Sequence, residues 1–135
     1  MANYSGSFDT NVLLRLLLND IPEQHTATKK LLHQATNKFT IADTAIIELV
    51  FVLDRYYGFS RLEITEAVEG LMNLKEINCN RSLFKRAMLT YVKHSSLSFE
   101  DCYLSVYAQL NSAEPLWTFD KKLANQAPNT RLVSV

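Results

Sequence analysis

Short β-like runs alternate with longer stretches of helical periodicity along this chain. The β-like runs are residues 5–8, Lys38 to Ala42, Lys75 to Cys79, Leu116 to Phe119 and Leu132 to Val135. A helix is predicted from about Asn11 to Leu18. Asp20-Ile-Pro-Glu23 opens the next, with Asp20 as cap, Pro22 in the first turn and Glu23 reaching back; it runs to about Ala35. Asp43 or Thr44 caps a helix to Tyr57, and Gly58 ends it. Ser60-Arg-Leu-Glu63 is a capping box for a helix ending near Leu74. Asn80 caps a helix to about His94, and Ser98-Phe-Glu-Asp101 starts one to about Ser112. The alternation predicts an α/β fold, a parallel sheet with helices on its faces. One segment conflicts with it. A central parallel strand is buried on both faces and strongly apolar, whereas Asn3-Tyr4-Ser5-Gly6-Ser7-Phe8 is mostly polar.

At 135 residues the chain is expected to form one compact domain, residues 1–135, with a real core. Its formal charge is zero, so no global basic field advertises a nucleic-acid partner. A local basic patch remains compatible with that balance. Cys79 and Cys102 are too few and too far apart for a disulfide framework or zinc knuckle and read as small buried hydrophobes. The longest apolar stretches, VLLRLLL and AIIELVFVL, are too short to span a bilayer and carry charges. MANYSGSF lacks the basic and apolar regions of a secretory signal. The expected location is the cytoplasm.

Four acidic residues are the candidate chemistry: Asp9, Glu48, Asp101 and Asp120. Each falls where an α/β fold can bring it to one place, and such a cluster repels itself unless a divalent cation neutralises it. Glu48 sits in a helix that reads as apolar almost all round, and therefore as buried. An ionised carboxylate there needs a cation, a strong donor or a raised pKa. Asp9 follows the first strand, where open parallel sheets bind ligands. It is equally suited to capping the helix behind it. Asp120 has the same two readings ahead of Lys121-Lys122-Leu123. Asp101 lies in a helix's first turn, where the macrodipole favours a carboxylate anyway, and lines up with Ser105 and Ser112 on what reads as a solvent stripe. On pattern alone a structural role is favoured for it.

Other candidates are poorer. His25, His33 and His94 have no metal spacing. Gly6, Gly58 and Gly70 stand alone, so no phosphate loop is present. Tyr56, Tyr57 and Phe59 near Arg55 and Arg61 read as a packed helix end more readily than as a nucleic-acid surface.

Taken in series, DTNVLLRLL, ELVFVL, SFEDCYLSVYA and WTFDKKL resemble the PIN-domain family, and within it the VapC-like toxins of bacterial toxin–antitoxin pairs. The resemblance covers about Phe8 to Val135. It implies a three-layer α/β/α sandwich around a mainly parallel five-stranded sheet in order 3-2-1-4-5. It implies that Asp9, Glu48, Asp101 and Asp120 form the metal site and do the catalysis. Thr10, Asn11 and Thr118 match supporting positions. The implied cofactor is Mg²⁺, with Mn²⁺ able to substitute, because Mg²⁺ binds a few carboxylates, several waters and substrate phosphate. The implied activity is endoribonucleolytic hydrolysis leaving a 5′-phosphate and a 3′-hydroxyl. Arg15, Arg55, Arg61, Lys121 and Lys122 are candidates for RNA phosphate contacts. The implied partners are an RNA substrate, a cognate antitoxin crossing the groove, and a second copy in a homodimer.

Two other function classes stand beside this reading. One is a catalytically inactive PIN-like scaffold that holds RNA or a protein. The other is an aspartate phosphotransferase, disfavoured because such enzymes use Asp-x-Asp and Asn11 stands at the second position.

Overall fold

The computed structural model describes residues 3–34 and 36–135. The expected end of the second helix at Ala35 lies outside the described residues. The chain divides into two compact units, Met1–Arg81 and Ser82–Val135.

The first unit runs β1 (Gly6–Ser7), α1 (Thr10–Leu17), α2 (Pro22–Leu32), β2 (Phe39–Thr40), α3 (Asp43–Arg55), α4 (Arg61–Met72) and β3 (Ile77–Asn78). Its strands are parallel in the order β1-β2-β3, with Gly6 opposite Phe39 and Phe39 opposite Ile77. The polar first strand forms, but only as two residues. Flanking bonds extend it, Ser5 N to Lys38 O at 2.7 Å and Phe8 N to Thr40 O at 3.0 Å. Its anchor is Phe8, buried and stacked on Phe39 with ring centroids 4.3 Å apart. Gly6 adopts φ +149°, a region that L side chains rarely enter.

Local chemistry explains most helix ends here. Ser60 and Glu63 form both halves of the capping box at α4. Gly58 at φ +66° takes the left-handed turn after α3 that other residues enter only with strain. Arg81 donates to the Met72, Leu74 and Ile77 carbonyls at 2.6, 3.2 and 2.8 Å, satisfying groups left open after α4. Two expected caps are not used. Helix α2 has Ile21 at its N-cap, and Asp20 instead pairs with Arg15 at 2.7 Å and accepts from Tyr57 at 3.0 Å. Helix α3 begins after Ala42 with no side-chain cap. The core of this unit includes Leu13, Leu32, Ile46, Leu49, Leu53 and Ile64, all almost fully buried. Each contributes about 1.5–3 kcal/mol relative to exposure.

The second unit holds nearly all of α5 (Arg81–Lys93), then α6 (Phe99–Leu110), β4 (Leu116–Thr118), α7 (Lys121–Gln126) and β5 (Thr130–Leu132). Phe84, Tyr91 and Phe99 bring the two long helices together, with Phe84–Phe99 and Tyr91–Phe99 centroids 6.2 and 5.3 Å apart. Strands β4 and β5 are parallel, with Trp117 opposite Arg131. The last strand begins two residues earlier than the sequence suggested, at Thr130, because Leu116 pairs with buried Thr130.

The fold is thus α/β with parallel strands, as expected. The strands form a sheet of three and a sheet of two rather than one five-stranded sheet. Strands of two or three residues offer few ladder bonds, and Gly6-Ser7 has no apolar side chain to extend β1.

Candidate active site

In the first unit the site begins at the turn from β1 into α1. Asp9 is the α1 N-cap, with its Oδ1 accepting from Val12 N at 2.9 Å. Among the described residues its Oδ2 makes no hydrogen bond. The two readings of Asp9 are therefore compatible: one oxygen caps while the other stays available. Asn11 follows, exposed, and lines a cleft of about 280 Å³ with Asp9, Val12, Arg15, Gln24 and Thr28.

Thr10 connects this turn to Glu48. It is buried, and its hydroxyl lies 3.2 Å from Ala45 O and 3.3 Å from Glu48 Oε2. A hydroxyl has one proton, so it is shared between the two acceptors. The residue after Asp9 thus holds the Glu48 carboxylate by one oxygen.

The expectation that Glu48 is buried is overturned: it is exposed. Helix α3 buries Ile46, Leu49, Val50 and Leu53 on one face. At 100° per residue Glu48 falls nearly opposite that face, with exposed Phe51 and Arg55. An unbroken apolar run had disguised an amphipathic helix. No burial penalty therefore demands a cation at Glu48.

In the second unit Ser98 caps α6, its hydroxyl accepting from Asp101 N at 3.1 Å. Asp101 is half-buried, and its carboxylate makes no hydrogen bond among the described residues. The residue one turn on, Ser105, is buried at 3% exposure. The face that read as a solvent stripe is therefore turned inward at Ser105, and Asp101 sits at its rim. Polarity alone concealed this, since a buried serine and a surface serine look alike in sequence. Asp120 repeats the arrangement of Asp9. Its Oδ1 accepts from Lys122 N at 2.9 Å and Leu123 N at 3.2 Å, and its own N–H donates to Thr118 Oγ1 at 3.0 Å. The turn it opens continues as α7, a six-residue helix the periodicity did not resolve.

The basic candidates differ in freedom. Arg15 is committed: it pairs with Asp20 at 2.7 Å and donates to Tyr57 Oη at 3.4 Å. The Tyr57 bond and then Asp20 raise its pKa against the opposing effect of burial. Burial pushes the Asp20 carboxyl upward, but bonds from Tyr57 and Arg15 outweigh it and hold it below the usual range. Arg15 is thus a tie between α1 and the end of α3, poorly available to a phosphate. Arg55 lies over the Phe51 ring, 5.6 Å from its centroid. Arg61 is half-buried, whereas Lys121 and Lys122 are exposed. Cys102 is buried and Cys79 half-buried, where burial pushes the Cys79 thiol up; neither is in a disulfide. Inert packing explains them.

The sequence model of the PIN domain matches residues 8–127, nearly the whole chain. This chain belongs to the PIN domain family. It is similar to the VapC ribonuclease of Aquifex aeolicus (strain VF5), 28% identical over 116 residues that cover 84% of this chain and 86% of that protein. The match starts at Phe8, so the polar residues before it stand outside the part that defines the family.

The side chains of this PIN domain suit a hard divalent cation in kind. Asp9, Glu48, Asp101 and Asp120 offer carboxylate oxygens, the donors Mg²⁺ selects. Among the described residues no group of three or more His, Cys, Asp or Glu stands ready as a metal cage. Mg²⁺ does not require one, because it keeps several waters and takes one or two carboxylates plus substrate phosphate. Asp9 and Glu48 each keep one carboxylate oxygen with no hydrogen bond among the described residues. No helix among the described residues is long and apolar enough to cross a membrane.

Proposed function

We propose that this chain is a Mg²⁺-dependent endoribonuclease, the toxin of a toxin–antitoxin pair, and that residues 1–135 act as a single nuclease domain. The observation that carries the reading is the Asp9–Thr10–Glu48 connection at motif positions within a family match spanning residues 8–127. A scaffold that does not cut RNA has no need for a buried hydroxyl, next in the chain to Asp9, that fixes the Glu48 carboxylate.

Asp9, Glu48 and Asp101 are the proposed metal ligands, directly or through water, and Asp120 supports them. When bound, the cation supplies charge stabilisation at the phosphoryl oxygens and a more acidic water. The chain's own residues do the rest. Thr10 orients Glu48, Ser98 fixes the turn that presents Asp101, and Thr118 fixes the turn that presents Asp120. Cleavage leaves a 5′-phosphate and a 3′-hydroxyl. Mn²⁺ substitutes for Mg²⁺. The partners we assign are RNA, a cognate antitoxin and a second copy of the chain, and the site of action is the cytoplasm.

The test is cleavage of several structured RNAs by antitoxin-free protein with Mg²⁺ or Mn²⁺. Cleavage that stops on chelation is expected. Intact RNA under every metal condition would favour the inactive scaffold.

A further inference from the structure

The strand pair of the second unit has two unlike faces. Leu116 pairs with buried Thr130 on one, and Leu116 and Thr118 are half-buried there. Trp117 and its register partner Arg131 lie on the other, both exposed. Successive strand residues point to opposite faces and opposed residues share one. One residue past the strand stands Phe119. Trp117 is 58% and Phe119 71% exposed.

Large aromatics this exposed forgo much of the roughly 1.5–3 kcal/mol that burying each would contribute. Isolated apolar side chains on a surface need no explanation. Two aromatics within three residues, beside an arginine with no acidic partner among the described residues, form a patch. Phe51 shows the difference: its ring already carries Arg55 above it and Tyr56 at its edge, 6.4 Å away. Among the described residues, the Trp117 and Phe119 rings meet no other ring or cation, and the Arg131, Lys121 and Lys122 side chains have no acidic partner. The next residue along the chain is Asp120.

We propose that Trp117 and Phe119 form a stacking platform for unpaired bases of single-stranded RNA, with Arg131, Lys121 and Lys122 holding its phosphates beside Asp120. The proposal rests on the ribonuclease reading and assigns to these five residues the grip on its substrate. Base–aromatic stacking suits this surface because every base has a π-face and the cations supply the sequence-independent grip. A duplex keeps its bases stacked internally and offers none to the rings.

Trp117 is the only tryptophan in the chain, so intrinsic fluorescence reports this surface directly. The experiment titrates a short oligouridylate, and separately its duplex with oligoadenylate, into the full chain under chelating conditions. Metal-dependent cleavage of both RNAs is measured in parallel. Saturable quenching by the single strand is expected, with at least tenfold weaker response to the duplex. Phe119→Ala should weaken single-strand binding about tenfold, within the range measured for one stacked base. Trp117→Ala should raise KM about tenfold with kcat nearly unchanged, and Trp117→Phe should restore most of the loss. Equal quenching by both RNAs overturns the platform, as does cleavage with no quenching or an unchanged KM in Trp117→Ala. Emission that shifts with protein concentration in the absence of RNA also overturns it and assigns the face to self-association. Quenching by the single strand without cleavage of any RNA supports the platform while removing the nuclease reading.

Discussion

Asp9 and Asp120 stand at two versions of one turn, and the contrast between them separates two tasks. Both end a short parallel strand, and both cap the following helix with Oδ1 alone. Asp9 is set in a braced frame. Phe8 before it is buried on Phe39, and Thr10 after it is buried against Ala45 and Glu48. Asp120 stands in the open, between exposed Phe119 and exposed Lys121. The same cap chemistry thus serves a turn whose next residue is tied to Glu48 and a turn flanked by exposed side chains. The first is expected to govern the rate, the second substrate affinity.

Replacing each aspartate by asparagine tests that division most sharply. Asparagine caps as well as aspartate, so neither change should alter thermal stability appreciably. Asp9→Asn should lower kcat at least about 10²-fold, since metal-supplied charge stabilisation amounts to several kcal/mol. Asp120→Asn should have the smaller effect. Rate assays on both proteins at saturating Mg²⁺ give the comparison. A wild-type rate in Asp9→Asn removes Asp9 from the metal site.

The brace itself is tested at Thr10. Thr10→Val preserves volume and removes the hydroxyl that reaches Glu48. Partners that orient ligands are typically worth 10–100-fold in metal affinity or activity, and a loss in that range is expected. Thr10→Ser restores the hydroxyl and should recover most of it. Metal titration with Mn²⁺ separates this positioning role from general damage. Equal losses in Val and Ser variants would mean that packing, not the hydrogen bond, is what Thr10 supplies.

What the sequence disclosed was local. Ser60 and Glu63 are three residues apart, as are Ser98 and Asp101, and such spacings can be read because the bonds close within one turn. Gly58 marks a left-handed turn for the same reason. Contacts across the chain stayed hidden. Asp20 resembled a cap, but Arg15 and Tyr57 claim it, and Tyr57 lies 37 residues away. Glu48 misled for a different cause: seven apolar neighbours suggested burial all round, whereas only one side of α3 meets the core. The order of the acidic motifs was legible as a resemblance. The Trp117–Phe119 surface was not, because a strand with one inward and one outward face reads in sequence like one buried on both.

The open unit has its own cap, which offers a smaller effect. Ser98→Ala removes the acceptor for Asp101 N at the start of α6. A stability loss of about 1 kcal/mol is expected, seen as a Tm lower by a few degrees. An unchanged Tm would show that packing of Phe99 and Cys102 alone fixes the helix start.

The smallest effect belongs to Glu63, in the braced unit and outside the proposed chemistry. The Ser60 backbone N–H, and then its hydroxyl, hold the Glu63 carboxyl below its ordinary value of 4.5. A carboxyl lowered on folding stabilises the protein above its unfolded pKa, and that stability is lost as the pH falls through the lowered folded value. Glu63→Gln keeps an acceptor for the Ser60 N–H but cannot titrate. Denaturation midpoints measured from neutral pH into the acid range should therefore fall slightly faster for the wild type below about pH 4.5. The two proteins should keep a constant separation above that value. Because Glu63 is fully exposed, solvent screening keeps the difference small. Parallel acid limbs would mean that the Ser60–Glu63 box orders α4 without contributing to the pH dependence of the fold.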